Sequence, residues 1–588
     1  MESNLIVYSS MESTPLKALC IAALAVMGAI TTGCSGQLEE VPGLDGHEIT
    51  LTTTVTLGGN SESKALAADG VKTFAVGDQL AIVYKNTGNE TVKAVSSALV
   101  AGDIHDGGKT AVISVTLENP AAGGAVRYIY PAAMAKGTID AGATMDDANT
   151  IGFTNLATQD GSLTTLANNL DLAVYDGNLT GEAALPTSVM LTNQLSIGEF
   201  TIKNSDGSSD LTSAITGLWV SDGTNTYAVT RSASAGPIYV AMRPIADATT
   251  ITFAAQTASA YYEREVAGKT LAAGNMYPVG VRMTQTHSVN LARICNAYEA
   301  QDGETLTGKL ALCGQISIAG GATVTLNNVD INGDNTFNGA FPGIKCTGKA
   351  TLTLVGTNTV RGCKNSGYPG IFPAKGKTLT INGTGKLFAY SNGSGAAGIG
   401  GGVYPYLECG KIRIESGEIM ATGGQYGAGI GTSGIPSFNN SCGDITITGG
   451  TVTATGGWRA AGIGTGCAQI GSSKSSLTTQ CGNISISGGT VTATGGSGAA
   501  GIGLGYTNQG YSESAKMYNR CGTITIDNTV TRVTATRGSQ QYTIPYCIGK
   551  GADGTQFTIL TCGDITIGGE SKGNNGVNPT SGDEYVYP

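Results

Sequence analysis

Cysteine is the reactive residue that recurs most regularly in this chain of 588 residues. Thirteen cysteines are present, and five of them begin the pattern Cys-Gly-x-Ile-x-Ile, at Cys409, Cys442, Cys481, Cys521 and Cys562. No Cys-x-x-Cys occurs, so the spacing indicates neither dithiol redox chemistry nor structural zinc. Side chains aligned in parallel seldom meet disulfide geometry, and free cysteine packs as a small apolar group. We therefore predict a buried, unbridged thiol column, with disulfides between neighbouring repeats as the alternative in an oxidising compartment.

Residues for acid–base or metal chemistry are sparse. The three histidines, His47, His105 and His287, have neither metal-ligand nor catalytic-triad spacing. Enzymes that cleave polysaccharides use clustered carboxylates, yet the position after Cys-Gly is acidic in only two of six copies, which read Gln315, Lys411, Asp444, Asn483, Thr523 and Asp564. Two Gly-x-Gly-x-x-Gly stretches lack the helix that a dinucleotide site needs. We expect no catalytic site, metal or cofactor, and keep a polysaccharide lyase or hydrolase as a low-ranked alternative.

Aromatic residues offer another chemistry, because exposed rings can stack on sugar rings. They fall in segments of unequal length that end just before Cys-Gly, at residues 403–408, 432–441, 465–480, 504–520 and 550–561. Insertions at one position of a solenoid often form its binding face. The candidates for glycan binding are Tyr404, Tyr406, Phe438, Tyr506, Tyr511 and Tyr518, together with Tyr426 and Trp458 in a different turn. The alternative is that these rings cover the core.

The repeats predict the element that must position these segments. The steps between the five cysteines are 33, 39, 40 and 41 residues, and a distant copy of the pattern begins at Cys313. Regular repeats continue through Thr-Val-Thr-Ala-Thr to Gly-Ile-Gly, and seven Gly-Ile-type motifs place isoleucine at positions 344, 371, 399, 430, 463, 502 and 548. Alternate apolar residues point to one strand face, so Gly-separated strands can stack as coils. We predict a parallel, right-handed β-helix with three strands per coil and about eight coils; a β-propeller is the alternative.

The first half of the chain reads as alternating short strands between Glu48 and Met283, which predicts two β-sandwiches. Its motifs resemble, in the same order, those of fimbrillin-like proteins, at residues 74–82, 128–131, 239–244 and 271–279. That resemblance covers about 40% of the chain. It implies a β-sandwich pair in a pilus subunit or cell-surface lipoprotein. The roughly 300 residues after Met283 favour a capping, tip or adhesin role over stalk polymerisation.

The N-terminal segment reads as an export signal. Lys17 precedes an apolar run over residues 18–30, which is too short to span a bilayer but suits a signal-peptide core. The run ends in Thr-Thr-Gly-Cys34, which resembles the lipobox of bacterial lipoproteins and implies acylation of Cys34. Glu39 and Glu40 resemble the acidic export signal of surface-exposed lipoproteins. We expect a lipid anchor in the outer membrane that faces the exterior; a plain secretory signal is the alternative.

These features predict an all-β, non-catalytic cell-surface lipoprotein that acts as an adhesin or glycan-binding protein. Looser repeats at residues 343–354 and 377–383 resemble carbohydrate-binding β-helix lipoproteins. A structural pilus tip or anchor is the first alternative. The net charge of -10 argues against a nucleic-acid partner, so the expected partners are a polysaccharide or surface glycan, the membrane and fimbrial subunits. The predicted divisions are signal peptide 1–33, lipidated linker 34–47, sandwiches 48–165 and 166–286, β-helix 287–570 and tail 571–588.

Overall fold

Strands dominate the computed structural model of this protein, as the sequence predicts. The α-helices in the described part of the chain are short, Asp147–Thr150 and Leu163–Asn169, and no helix there has the length and apolar composition to cross a membrane. The predicted signal segment and Cys34 lie outside the described residues. Those are 48–58, 72–181, 183–246, 250–294, 297–310, 315–331, 341–363, 367–402, 404–434, 438–469, 476–508, 516–539, 544–553 and 558–588.

The first sandwich is an eight-stranded sheet folded over its own core. Its strands, in spatial order, are Thr91–Val95, Ala81–Lys85, Ala125–Tyr130, Ala173–Asn178, Ser188–Asn193, Glu48–Leu57, Thr110–Glu118 and Ile104–His105. Alternate residues of Thr110–Glu118 are buried, as expected for a strand with one face on a core. Two strands of this sheet follow residue 165. The predicted boundary at residue 165 therefore does not separate the two sandwiches, because strands that follow it in the sequence complete the sheet of the first sandwich.

The second sandwich combines a three-stranded and a six-stranded sheet. The smaller sheet contains, in order, Ile238–Met242, Ser196–Lys203 and Met276–Arg282. The larger sheet contains Thr284–Thr286, Tyr261–Val266, Ile251–Gln256, Gly217–Ser221, Thr226–Thr230 and Thr158–Gln159. Phe200 of the smaller sheet and Phe253 of the larger one meet edge to face at 5.2 Å between centroids. The contact joins the two sheets through their shared apolar core.

The second half of the chain is the predicted parallel β-helix. One side of each coil is a short strand of what we call the Gly-Ile sheet, formed by Tyr298–Ala300, Ile316–Ile318, Ile344–Cys346, Ile371–Phe372, Ile399–Gly400, Ile430–Gly431, Ile463–Gly464, Ile502–Gly503 and Ile548–Gly549. A tenth, antiparallel strand, Gly576–Val577, ends this sheet. The nine parallel strands exceed the predicted eight coils, because the first two lack a Gly-Ile motif. Ile316 pairs with Ile344, so the predicted distant copy of Cys-Gly-x-Ile-x-Ile in fact belongs to the Gly-Ile sheet.

Two further strands per coil form the broad sheet, which gives the three strands per coil that the sequence predicts. Its strands are Ser288–Asn290, Thr305–Lys309, Thr323–Ile331, Ala350–Val355, Thr357–Arg361, Thr378–Gly383, Lys386–Tyr390, Lys411–Ile414, Glu418–Thr422, Ile445–Ile447, Thr451–Thr455, Ile484–Ile486, Thr490–Thr494, Ile524–Ile526, Arg532–Thr536, Ile565–Ile567, Glu570–Ser571 and Glu584–Tyr587. Identical positions pair in register, for example Ile445 with Ile484 and Val452 with Val491. This stacking makes one continuous core through the coils.

The unequal segments before Cys-Gly are more ordered than the sequence predicts. In the last coils they contain a four-stranded parallel sheet formed by Asn440–Cys442, Ser476–Cys481, Lys516–Cys521 and Thr558–Cys562. A pair of short strands, Ala468–Gln469 and Thr507–Asn508, precedes it. Because these strands pair with their equivalents in adjacent coils, they give the solenoid a fourth side. They are not only the projecting loops expected from the sequence.

The second sandwich covers the first coils of the β-helix. Trp219 and Tyr261 of its larger sheet lie 6.2 Å and 5.8 Å from the ring of Tyr298 in the first Gly-Ile strand. Arg293 also pairs with Glu263 and Glu265 of that sheet, both at 2.6 Å. At the other end, the antiparallel strand Glu584–Tyr587 pairs with Arg532–Thr536. Both ends of the solenoid core are therefore covered, as stacked repeats require.

Candidate functional site

A groove with a volume of about 810 Å³ lies along the β-helix, and this volume is within the range of small-molecule sites. We call it the coil groove. It is lined by residues from five consecutive coils, including Lys345, Phe372, Tyr404, Phe438 and Ser476 in turn. At the strand spacing of about 4.8 Å, five coils extend over roughly 20 Å. The coil groove is therefore elongated along the solenoid axis.

The floor of the coil groove is aromatic and buried. The ring of Tyr406 meets Phe372 at 4.9 Å and Tyr368 at 5.7 Å between centroids, both edge to face. Gln315 Nε2 donates a long hydrogen bond of 3.5 Å to the Tyr406 hydroxyl. Burial raises the pKa of Tyr406 above the usual phenol value. The floor is thus an apolar surface held by neighbouring coils.

A local departure from the repeat creates this floor. In later coils the residue after isoleucine is glycine at positive φ, such as Gly400 at +139° and Gly431 at +141°. In two earlier coils that position holds Lys345 and Phe372, which pair with each other in register and have no positive φ. Their side chains line the groove. The sequence carries this signal, because Gly-Ile-Lys and Gly-Ile-Phe replace Gly-Ile-Gly, but neither Lys345 nor Phe372 is among the predicted binding residues.

Two aromatic side chains form the exposed part of the groove. Tyr404 is 73% exposed and Phe438 is 45% exposed. Both come from the unequal segments that precede Cys-Gly, and both line the coil groove with Tyr406. The structure thus brings three of the eight predicted aromatic residues into one site, two of them with accessible rings.

The polar side chains of the groove are mostly cationic or neutral. Lys375 forms an ion pair with Glu408, and both side chains are substantially exposed. Lys345 is half-buried, with its ammonium group 5.9 Å from the centroid of the Tyr406 ring, inside the usual range of a cation–π contact. Asn439 and Thr347 add hydrogen-bonding groups. Among the described lining residues, Glu408 is the one carboxylate.

Three other predicted aromatic residues form a separate cluster. The Arg459 guanidinium lies 4.1 Å from the ring of Trp458 and 4.7 Å from that of Tyr506, and Tyr426 lies 5.8 Å from Trp458. Trp458 is 43% exposed, whereas Tyr506 is fully buried and its ring is not available to a ligand. In this cluster only Trp458 therefore presents a large exposed ring.

The last two aromatic candidates have different positions. Tyr518 is half-buried on the fourth-side sheet, beside Arg520 at 4.8 Å and in register with Ile559. Tyr511 lies outside the described residues. Neither belongs to the coil groove or to the cluster around Trp458.

The five repeated cysteines stack as predicted. Cys442, Cys481, Cys521 and Cys562 pair in register, and Cys409 lies next to Cys442 in the preceding coil. All five are buried and free. The contact with Cys409 and burial together raise the pKa of Cys442 well above the usual thiol value. A buried thiol that stays protonated is a poor nucleophile and metal ligand.

The remaining polar residues show no assembled site in the described ranges. No group of three or more histidine, cysteine, aspartate or glutamate side chains there could hold a metal ion. His105 and His287 are exposed, and His47 lies outside those ranges. Asp444, one of the two acidic residues after Cys-Gly, pairs with Lys411 at 2.8 Å. That ion pair lowers the pKa of the Asp444 carboxyl, so this residue is a poor general acid.

The chain matches a family model described as a β-helix repeat at residues 412–434, 445–467 and 484–506, which fall in three successive coils. No curated protein matches it. One similar solved structure is a fimbrial assembly protein from Parabacteroides distasonis, at 11% identity over 40% of this chain and 91% of that chain, with a TM-score of 0.25. Another is a fimbrial protein from Bacteroides ovatus, at 12% identity over 40% and 48% of the respective chains, with a TM-score of 0.22.

Proposed function

We propose that this protein is a non-catalytic, glycan-binding protein of the cell surface and that the coil groove is its binding site. One observation carries the proposal: the exposed rings of Tyr404 and Phe438 lie along an elongated groove with a buried aromatic floor. Carbohydrate offers apolar ring faces and a dense set of hydroxyls. Aromatic rings can stack on the ring faces, and the side chains of Asn439 and Thr347 can form hydrogen bonds with the hydroxyls.

The shape of the groove favours a linear saccharide. Its lining residues come from five coils in succession, so a chain of sugars could lie along the solenoid axis and contact several coils. The core strands below are tightly stacked and hydrogen-bonded, so the floor is preorganised. Binding to such a surface loses little conformational entropy in the protein.

The chemistry of the groove favours binding over cleavage. Glycosidases use two carboxyl groups that flank the bond to be broken. Of the described lining residues only Glu408 has a carboxylate, and Lys375 already pairs with it. A lone, neutralised carboxylate does not form the pair that this mechanism needs.

The surface location is part of the same proposal and is supported by the sequence of residues 17–40. Acylation of Cys34 would anchor the chain in the outer membrane, and the rest of the protein would extend from it. A Cys34→Ala variant should lose this anchor and appear in the soluble fraction after export. A variant that stays membrane-bound would refute the lipid anchor without affecting the glycan proposal.

The binding proposal is tested on a glycan array with the full chain that carries Cys34→Ala. The full chain is needed because the second sandwich shares a core with the first coils. A fragment that starts at the β-helix would expose the apolar residues that Trp219 and Tyr261 cover. Binding to at least one class of polysaccharide is expected. The absence of binding to every glycan would refute the proposal, and release of shortened or unsaturated products would identify an enzyme instead.

Substitutions locate the site. Tyr404→Ala and Phe438→Ala should each weaken binding about fivefold, since a stacked aromatic contact contributes about 1 kcal/mol. Trp458→Ala is the matched control, because Trp458 is as exposed as Phe438 but lies in the other cluster. An equal loss in the control would place binding elsewhere on the β-helix. Co-purification of the protein with fimbriae, without affinity for any glycan, would support the structural alternative.

A further inference from the structure

The coils that form the coil groove are basic, although the chain as a whole is acidic. Residues 341–434 contain nine lysine and arginine residues and three glutamates, a net charge of +6, while the whole chain has a net charge of -10. The rest of the chain therefore has a net charge of -16. A patch of one sign within a protein of the other sign concentrates ligands of opposite charge near it.

Three of these nine cations form ion pairs outside the groove lining. Lys386 pairs with Glu418 at 2.8 Å, Arg413 with Glu415 at 2.6 Å, and Lys411 with Asp444 at 2.8 Å. Glu408 is the remaining acidic residue of the segment, and Lys375 pairs with it. The three glutamates of residues 341–434 are thus all in ion pairs with basic residues of the same segment.

Lys345 is the cation that remains available within the groove. It forms no salt bridge with any described carboxylate, and its ammonium group faces the ring of Tyr406. Lys349 and Lys377, in equivalent turns of adjacent coils, are also exposed and have no carboxylate partner in the described ranges. A half-buried ammonium group beside an apolar floor gains more from an anionic partner than an ammonium group in water does.

We propose that the ligand of the coil groove is an acidic saccharide, whose carboxylate or sulfate group pairs with Lys345 while its rings stack on Tyr404 and Phe438. This inference rests on the proposed glycan-binding function and specifies its ligand class. Uronates and sulfated sugars share the required chemistry, an anionic group on a pyranose ring. The ion pair of Lys375 with Glu408 lies at the same groove and keeps the carboxylate from repelling such a ligand.

The field of the basic coils adds a long-range contribution. At physiological ionic strength the Debye length is about 8 Å, so salt screens the attraction between exposed cations such as Lys349 and Lys377 and an anionic ligand. Affinity for an acidic oligosaccharide should therefore fall as salt rises, and affinity for its neutral counterpart should not. This salt dependence separates the electrostatic contribution from the stacking contribution of the aromatic rings.

The test is calorimetry on the full chain carrying Cys34→Ala, with three oligosaccharides of equal length: a uronic acid oligomer, its carboxyl-reduced neutral form, and a sulfated oligomer. The uronate or the sulfated oligomer should bind at least tenfold more tightly than the neutral form. The preferred anion identifies which source of negative charge the groove selects. If the neutral form binds equally well, the protein binds glycans but the acidic-ligand proposal is wrong; if none of the three binds, the glycan proposal also fails for these ligands.

A matched pair of charge variants localises the effect. Lys345→Met should weaken binding of the acidic oligosaccharide about tenfold and leave the neutral form unchanged. Lys386→Met removes one charge from the same segment but lies outside the groove lining, and should change affinity less than twofold. Equal effects of the two substitutions would refute a specific role for Lys345. Tighter binding of duplex DNA than of either acidic oligosaccharide would show a non-specific polyanion surface and overturn the proposal.

Discussion

The ring of Tyr406 meets the ring of Phe372 edge to face, with 4.9 Å between the centroids. The two residues belong to neighbouring coils and lie 34 positions apart in the sequence. Both are largely buried. Their contact joins the floor of the coil groove to the solenoid beneath it.

Removal of this contact should destabilise the protein. Tyr406→Ala or Phe372→Ala leaves a cavity under the groove, and large-to-small changes of buried aromatic residues cost about 3–5 kcal/mol. Chemical denaturation monitored by circular dichroism would measure the change. Tyr404→Ala, which alters an exposed ring two residues away, should stay within about 0.5 kcal/mol of the natural protein. A similar loss in both variants would show that burial does not distinguish the two tyrosines.

Gly431 should not tolerate a side chain. Its φ is +141°, and a Cβ there would lie 1.9 Å from the carbonyl oxygen of Gly464 in the next coil. Gly431→Ala therefore combines backbone strain with a backbone clash, and we expect a loss of more than about 3 kcal/mol or failure to fold. Gly280→Ala is the control, because no atom lies within 4 Å of its added Cβ. Equal thermal stability of the two variants would contradict the close packing of the Gly-Ile sheet.

The thiol column should be unreactive in the folded protein. Cys409, Cys442, Cys481, Cys521 and Cys562 are buried, and protonated thiols do not react readily with alkylating reagents. Mass spectrometry after labelling should find these five modified only once the chain is unfolded. Unfolding without a reductant distinguishes the disulfide alternative, in which some of them would remain unlabelled.

Glu304, at the junction with the second sandwich, should make the stability of the protein depend on pH. Its carboxylate is buried and accepts hydrogen bonds from the Tyr298 hydroxyl at 2.7 Å and the Gln301 backbone N–H at 2.9 Å. Burial is the largest effect and raises the pKa of Glu304 above its ordinary value of 4.5. The folded protein therefore holds this proton more tightly than the unfolded chain. The favourable contribution is complete below pH 4.5 and is lost as pH rises through the folded pKa.

A Glu304→Gln variant isolates this contribution, since glutamine keeps an acceptor but does not titrate in this range. Relative to the natural protein, the variant should gain melting temperature as the pH rises above 4.5, because the natural protein then loses the favourable contribution of the bound proton. If the difference in melting temperature between the two proteins stays constant as the pH rises, Glu304 does not titrate abnormally.

The sequence alone was sufficient for the coil. Isoleucines such as Ile445 and Ile484 occupy the same position in successive repeats. Parallel strands that pair in register stack residues of the same position in one column. The same reasoning predicted the cysteine column and the glycines at the strand ends. It assigned the distant copy near Ile316 to the wrong sheet, because a three-residue apolar pattern does not identify which side of a coil a strand forms.

The aromatic residues show what the sequence did not determine. Tyr404, Tyr406 and Tyr506 all lie in equivalent segments, yet one is exposed, one forms a groove floor and one is fully buried. Tyr406 owes its position to Gln315, 91 residues earlier, and to Phe372. The local sequence determines which strand a residue follows, whereas the burial of its side chain depends on atoms from other coils. The sequence thus determined the solenoid and its repeat, and only the tertiary structure decided which loops close a fourth side and which leave a groove open.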